Sequence, residues 1–407
     1  MEKFTLRDYQ EDAVQKSVYF FNHDKTKSGL VVAPTAAGKS LYIANICDRL
    51  SGDVLVLQPK KEILEQNYAK FIAYGGHAGI FSASAGRKDI SRVTFATPVS
   101  VKNAIQRFSH INQIIIDECH LMSDPKKGVM KDIIDILDNP QLLGLTATPF
   151  RMHPVMGGSM LKFLTRTHPK LFDKLIHFVQ IKTLKERGYL TRLRYFNVHK
   201  GFDRNLIKVN TTGSDFDENS LREYYDTIDF KKDIVDIVKR INKQGRRVLC
   251  FTSFVADAEF VASQLPNSAF VCADTKDKER ARIINAFRNG ELDSLINVGI
   301  LTTGFDDPEL SAIVVARPTR SLSLYYQIVG RGFRIHDDKE DCWVCDMVGN
   351  HGVFGSVENL TVEMEGKNGT LPYISGTRGK LTGVLLANNS EYNQDKADFQ
   401  EKIYGLR

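Results

Sequence analysis

An apolar run from Gly29 to Ala33 opens directly into Ala33-Pro-Thr-Ala-Ala-Gly38-Lys39-Ser40, and a helical pattern follows, with Leu41, Ala44 and Cys47 on one face and Ile43, Ile46 and Leu50 beside it. Strand, glycine-bearing loop and helix in that order build a phosphate-cradling turn at the carboxyl end of a parallel strand. Parallel strands require crossover connections, usually helices. This one feature therefore commits the opening of the chain to repeated βα units.

The rest of the first 150 residues agrees. Short apolar runs recur at Val54 to Leu57, Val93 to Ala96, Ile114 to Ile116 and Leu142 to Leu145, each bounded by Gly, Pro or polar residues. Runs of strand length without alternation are expected of strands buried on both faces. A second series begins at Val248 and continues through Ala269 to Cys272, Leu295 to Val298, Ala312 to Ala316 and Trp343 to Met347. At 407 residues the chain exceeds what one core supports. The expected organisation is a first α/β domain over 1–150, an insertion and linker over 151–240 with a helix from Leu221 to Asn242, a second α/β domain over 241–355, and a C-terminal extension over 356–407.

In the loop Ala33 to Ser40, backbone N–H groups around Thr35 and Gly38 and the following helix N-terminus suit phosphate oxygens, Lys39 suits the β and γ phosphates, and the Ser40 hydroxyl suits Mg²⁺. Ile114-Ile-Ile116-Asp117-Glu118-Cys119-His120 places two carboxylates just after a buried strand. Asp117 is the candidate to hold Mg²⁺ through its water shell, and Glu118 to orient and deprotonate an attacking water. ATP and Mg²⁺ are the cofactors this pattern calls for.

The composition, 42% hydrophobic and 26% charged, is that of a globular protein rather than a disordered or collagenous one. No apolar stretch has signal-peptide or membrane-spanning length, and six scattered cysteines make no disulfide framework. A cytoplasmic location without membrane contact is expected. Cys342-Trp-Val-Cys345 lies in a strand-like run, where residues three apart face opposite ways, so two buried thiols are expected rather than a metal pair. The net charge of +6 is unevenly spread: 151–200 holds eleven Lys or Arg against Asp173 and Glu186. Such a basic stretch between two phosphate-handling halves is a candidate surface for nucleic acid.

Asp117-Glu-Cys-His120, Thr146-Ala-Thr148 and Gln327-Ile-Val-Gly330-Arg331-Gly332-Phe-Arg334, in this order across roughly residues 4 to 350, resemble the motifs of superfamily two DNA and RNA helicases. The resemblance implies two RecA-like parallel-sheet domains in tandem and an ATP-driven motor on nucleic acid. It implies that Gln10 reads adenine, that His120, Thr146 and Thr148 couple the nucleotide to the nucleic acid, and that Asp306 lies near the ribose. Gln327, Arg331 and Arg334 are implied as ATP-facing residues of the second domain, the two arginines as fingers. Nucleic-acid contacts are implied at Pro59, Lys60, Thr97, Pro98, Ser253 and Thr302. The helicase form of the phosphate loop accounts for Ala33 where the general pattern has glycine, and Ile328 stands where the family often has arginine.

LTTGFDDPEL, RPTRSLSLYYQIVGRGFR and DMVGNHG are similar to RadD-like bacterial repair helicases, and the Asp-Glu-Cys-His box is similar to UvsW-type phage branch-migration helicases. Both favour DNA over RNA; a monomer is expected. RadD-like chains carry a cysteine-rich zinc element late in sequence, and no cysteine follows Cys345 here. A duplex translocase that does not separate strands, and an ATP-gated nucleic-acid clamp, are the alternative readings.

Overall fold

A computed structural model of the chain describes residues 5–122, 128–155, 158–198, 201–302, 304–366, 369–377 and 379–387. It divides into two compact units: the first holds 1–151, 162–180 and 362–372, the second 152–161, 181–361 and 373–407.

The first unit opens with helix α1 (Asp8–His23) and strand β1 (Ser28–Val32), followed by α2 (Lys39–Arg49), β2 (Val54–Leu57), α3 (Lys61–Ala73), β3 (Gly79–Ser82), β4 (Arg87–Lys88), β5 (Val93–Ala96), α4 (Pro98–Lys102), β6 (Gln113–Ile116), α5 (Val129–Ile136) and β7 (Gln141–Thr146). Strands β8 (Phe150–Val155) and β9 (Gly158–Phe163) leave this series, and β10 (Lys174–Phe178) rejoins it. The sheet order is β10-β1-β7-β6-β2-β5-β3-β4, parallel except for the β3–β4 pair. β2 and β5 are buried at every position. Burial on both faces explains why these runs were continuous in sequence. Gly144 on β7 allows a close approach, because a Cβ there would meet the Phe172 ring at 2.4 Å and Cys119 Sγ at 2.7 Å.

The second unit contributes β11 (Arg192–Asn197), β12 (Val248–Thr252), β13 (Ser268–Val271), β14 (Ser294–Asn297), β15 (Ala312–Ala316) and β16 (Asp341–Asp346), in the order β11-β16-β15-β12-β14-β13 and parallel throughout. Cys342 and Cys345 are both buried on β16, and burial pushes each thiol up to about 12, so neither is a ready thiolate. Beyond β16 the chain forms short strands, of which Leu385–Ala387 pairs antiparallel with β9.

The stretch 151–240 differs from the expected insertion and linker: β10 is an edge strand of the first sheet and β11 an edge strand of the second. The single helix expected over Leu221 to Asn242 is two, Glu218–Ile228 and Phe230–Asn242, parted by Asp229 in the left-handed region at φ +47°. Its basic charge is also partly answered from elsewhere. Arg166 pairs with Glu365, and Lys174 pairs with Asp24 at 2.8 Å. Among the described residues, no helix is long and apolar enough to cross a membrane.

Candidate nucleotide site and second-unit motifs

Gly38 caps α2 in the left-handed region, at φ +90°, where a Cβ would also meet Gln10 Nε2 at 2.6 Å. The backbone angle therefore requires glycine, and any side chain there would also displace the Gln10 amide. The α2 N-terminus has no side-chain cap, so its first N–H groups are available to an anion. Gln10 itself is buried: its Oε1 accepts from Arg7 N at 3.0 Å, and its Nε2 donates to the Ala37 carbonyl at 3.1 Å. Tyr9 Oη donates to the same carbonyl at 3.1 Å. The start of α1 thus holds the phosphate loop by two side chains.

Lys39 Nζ lies 3.5 Å from Glu118 Oε1. Ser40 Oγ donates to Asn67 Oδ1 at 2.6 Å, and Asn67 Nδ2 donates to Asp117 Oδ2 at 2.8 Å. The other Asp117 oxygen accepts from Glu118 N at 2.9 Å. Burial, with Glu118 beside it, pushes the Asp117 carboxyl up to about 6 against the pull of Lys39. Glu118 has φ +45°, unusual for a residue with a side chain. Two carboxylates, a hydroxyl and one ammonium around an uncapped helix N-terminus fit a nucleoside triphosphate with its divalent cation: oxygen donors suit Mg²⁺, which is held by one or two carboxylates plus phosphates rather than a protein cage.

His120 follows in a short turn, Cys119–Leu121. Its Nδ1 is 2.9 Å from Thr146 Oγ1 and 3.4 Å from Glu118 Oε2. Burial pushes the imidazole down to about 4, so it is neutral at pH 7. Thr146 Oγ1 also accepts from Thr148 N at 2.9 Å. The Thr148 hydroxyl is buried and has no hydrogen-bond partner among the described residues. Arg151 closes the turn from the far side, donating to the carbonyls of His120 and Met122. Thr35 is buried within the loop.

Of the remaining expected residues, some follow strands directly, while Gln327 lies in the helix Leu322–Val329 and Arg331 and Arg334 in and after the turn that continues it. Pro59 and Lys60 follow β2, with Lys60 exposed at the N-cap of α3. Thr97 and Pro98 follow β5, and Thr97 Oγ1 bonds the Ser100 and Ser82 hydroxyls at 2.9 and 3.3 Å. In the second unit, Ser253 follows β12, 3.2 Å from Tyr225 Oη. Arg331 is buried and turned into its own unit: it donates to the carbonyls of Gln327 at 3.2 Å, Phe305 at 2.7 Å and Thr302 at 2.8 Å. Arg334 pairs with Asp306, and its Nη1 is buried without a hydrogen-bond partner among the described residues. Thr303 lies outside the described residues.

Sequence reasoning missed Asn67, Arg151 and Gln58. Gln58 is fully buried at the end of β2, with neither amide atom partnered among the described residues. Its position directly before Pro59-Lys60 was the available signal. Asn67 had none, since its partners are 27 and 50 residues away.

Residues 3–151 match the family described as type III restriction enzyme, res subunit, and residues 231–336 match the helicase conserved C-terminal domain. The chain belongs to the superfamily two helicases. Its two units are tandem RecA-like domains. A Saccharomyces cerevisiae protein named as an ATP-dependent helicase, IRC3, is 27% identical over 86% of this chain and 52% of its own length. The DNA 3'-5' translocase XPB2 of Sulfurisphaera tokodaii is 22% identical over 83% of this chain and 80% of its own. Among solved structures, the ATP-dependent type ISP restriction-modification enzyme LlaBIII bound to DNA superposes with a TM-score of 0.61 at 15% identity, over 85% of this chain and 28% of that one. The present chain thus spans about half the length of the yeast relative.

Proposed function

We propose that this chain is a nucleic-acid-stimulated ATPase that moves along DNA and unwinds or branch-migrates it. The observation that carries the reading is the convergence of Lys39, Ser40, Asp117 and Glu118 around the uncapped α2 N-terminus. Bound ATP with Mg²⁺ supplies the anhydride whose hydrolysis to ADP and phosphate drives the motor. Lys39 neutralises phosphate charge, while Ser40 and Asp117 offer oxygens to the cation. Glu118, freed from Lys39, accepts the proton of the attacking water. The neutral His120, bonded to Thr146, passes the state of Glu118 to the loop 146–148, whose Thr148 hydroxyl has a new partner to gain. In the second unit, Arg334 retains a nitrogen unpartnered among the described residues for a phosphate, whereas Arg331 holds the carbonyls of Thr302 and Phe305.

DNA is favoured because the Sulfurisphaera relative is named a DNA translocase. Pro59, Lys60, Thr97, Pro98, Ser253 and Thr302 are its proposed contacts, the first five just past the carboxyl ends of their strands, where open α/β sheets bind ligands. Movement on duplex DNA without strand separation is the second reading, favoured by the restriction-enzyme family match of residues 3–151.

The test is ATP turnover with single-stranded DNA, duplex, forked and four-way DNA and RNA in parallel, together with strand and triplex displacement. DNA should stimulate turnover, and Lys39→Ala and Glu118→Gln should each abolish the stimulation. Near-normal turnover in either variant would remove the catalytic assignment, and stimulation by RNA alone would remove DNA. Triplex displacement without strand separation would decide for the second reading.

A further inference from the structure

Asn67 sits in the middle of α3, with only 6% of its surface exposed, between the two residues proposed above to face the cation. One end of its amide accepts the Ser40 hydroxyl hydrogen at 2.6 Å, and the other donates to Asp117 Oδ2 at 2.8 Å. The assignment of the amide is forced by chemistry. An ionised carboxylate only accepts, so the reversed amide would set oxygen against oxygen at Asp117.

A serine that binds a metal must send its hydroxyl hydrogen elsewhere and turn its lone pairs to the ion. Asn67 Oδ1 takes that hydrogen. A carboxylate that binds a metal, or its water shell, must hold a fixed rotamer. Asn67 Nδ2 fixes it, with the Glu118 N–H at 2.9 Å gripping the other oxygen. Because one planar amide makes both bonds, the two oxygens are held in register by a third helix that supplies no ligand.

We propose that Asn67 is a positioning residue for the divalent cation, orienting the Ser40 hydroxyl and the Asp117 carboxylate through a single amide. The inference rests on the nucleotide-site reading above. It assigns Asn67 to the metal rather than to the nucleotide, because neither of its bonds reaches the phosphate loop backbone or Lys39. Outer partners of metal ligands typically change metal affinity by roughly 10- to 100-fold when removed.

The experiment is binding of a fluorescent N-methylanthraniloyl ATP to the full chain, in EDTA and across a MgCl₂ titration, with no turnover required. For Asn67→Ala, affinity in EDTA should match the wild type, while the Mg²⁺ concentration that half-restores tight binding should rise about 10-fold or more. Asn67→Leu fills the same space without either hydrogen bond, so it gives the same answer if the alanine variant does not fold. An unchanged Mg²⁺ midpoint in a folded variant overturns the proposal. An equal loss in EDTA and Mg²⁺ also overturns it, since that marks a packing role. If the wild type does not bind the nucleotide, or Lys39→Ala binds it normally, the site reading itself falls, which the Asn67 variants alone cannot bring about.

Discussion

Arg331→Ala should weaken the second unit rather than merely silence it. The guanidinium is 6% exposed and donates to three carbonyls, Thr302 at 2.8 Å, Phe305 at 2.7 Å and Gln327 at 3.2 Å. Each bond from a charged donor is worth about 1.5–3 kcal/mol where the acceptor stays buried. The three are not additive, because water can enter the space left, and desolvating the charge offsets part of the gain. The expected net loss is about 3–5 kcal/mol, the range for breaking a buried charged network. For a unit of roughly 200 residues at about 2–4 °C per kcal/mol, its melting temperature should fall by about 6–20 °C. Arg331→Lys should recover little, since one ammonium cannot span three diverging acceptors. Arg334→Ala is the contrast: it makes one ion pair, with Asp306, against the three carbonyls that Arg331 holds, so its loss should lower the melting temperature by less than that of Arg331. Heat melts followed by far-ultraviolet circular dichroism, with turnover measured well below the transition, compare the three variants. An Arg331→Ala chain that melts with the wild type yet loses turnover would refute the clamp and restore Arg331 as a phosphate-facing finger.

The basic stretch should contribute less to nucleic-acid binding than its charge suggests. Arg166 and Lys174 are already paired, and Lys162 is half-buried, its ammonium held down by burial and by Arg166. Replacing Lys162, Arg166, Lys170 and Lys174 together should reduce the slope of log affinity against log salt by about one phosphate contact, with Lys170→Ala alone giving most of it; a slope lower by three or four would show that the ion pairs open on binding. The pH response of the first unit, in EDTA without nucleotide, should include two opposed groups at the site. His120 lies near 4 when folded against an ordinary 6.5, so its contribution is complete above 6.5 and is lost as pH falls towards 4. Asp117 lies near 6 against 3.8, so the folded chain holds its proton more tightly, and stability falls as pH rises from 3.8 to 6. Urea midpoints of the first unit between those limits should therefore rise more steeply with pH in Asp117→Asn than in the wild type and less steeply in His120→Gln, and profiles parallel to the wild type would sink both assignments.

What could be read in the sequence follows from where each residue's energy is decided. β2, β5 and β12 are buried at every position, so hydrophobicity alone marks their extent. β10 and β11 escaped notice because an edge strand has one free side: Lys174, Arg192 and Arg194 interrupt the apolar pattern and read as solvated charge. The helix pair 218–242 reads as one because its apolar period runs on, while the break depends on the backbone angle of Asp229, which a residue type only weakly favours.

The site shows the same division at the scale of single atoms. Lys39, Ser40, Asp117 and Glu118 are legible because local sequence forces them to the ends of adjacent elements. Asn67 is not, because its value lies in two bonds to α2 and to the end of β6, and no local pattern distinguishes it from a solvated asparagine on an amphipathic helix. Arg331 and Arg334 are the intermediate case. A motif fixes which two arginines matter and leaves open which carbonyls or carboxylates they meet. The answer is set by Thr302, Phe305 and Asp306, whose carbonyl and carboxylate groups converge on the two guanidiniums. A spacing of three residues put both arginines beside those groups. Only the fold divides their labour, giving one to the carbonyls and leaving a nitrogen of the other unpartnered among the described residues.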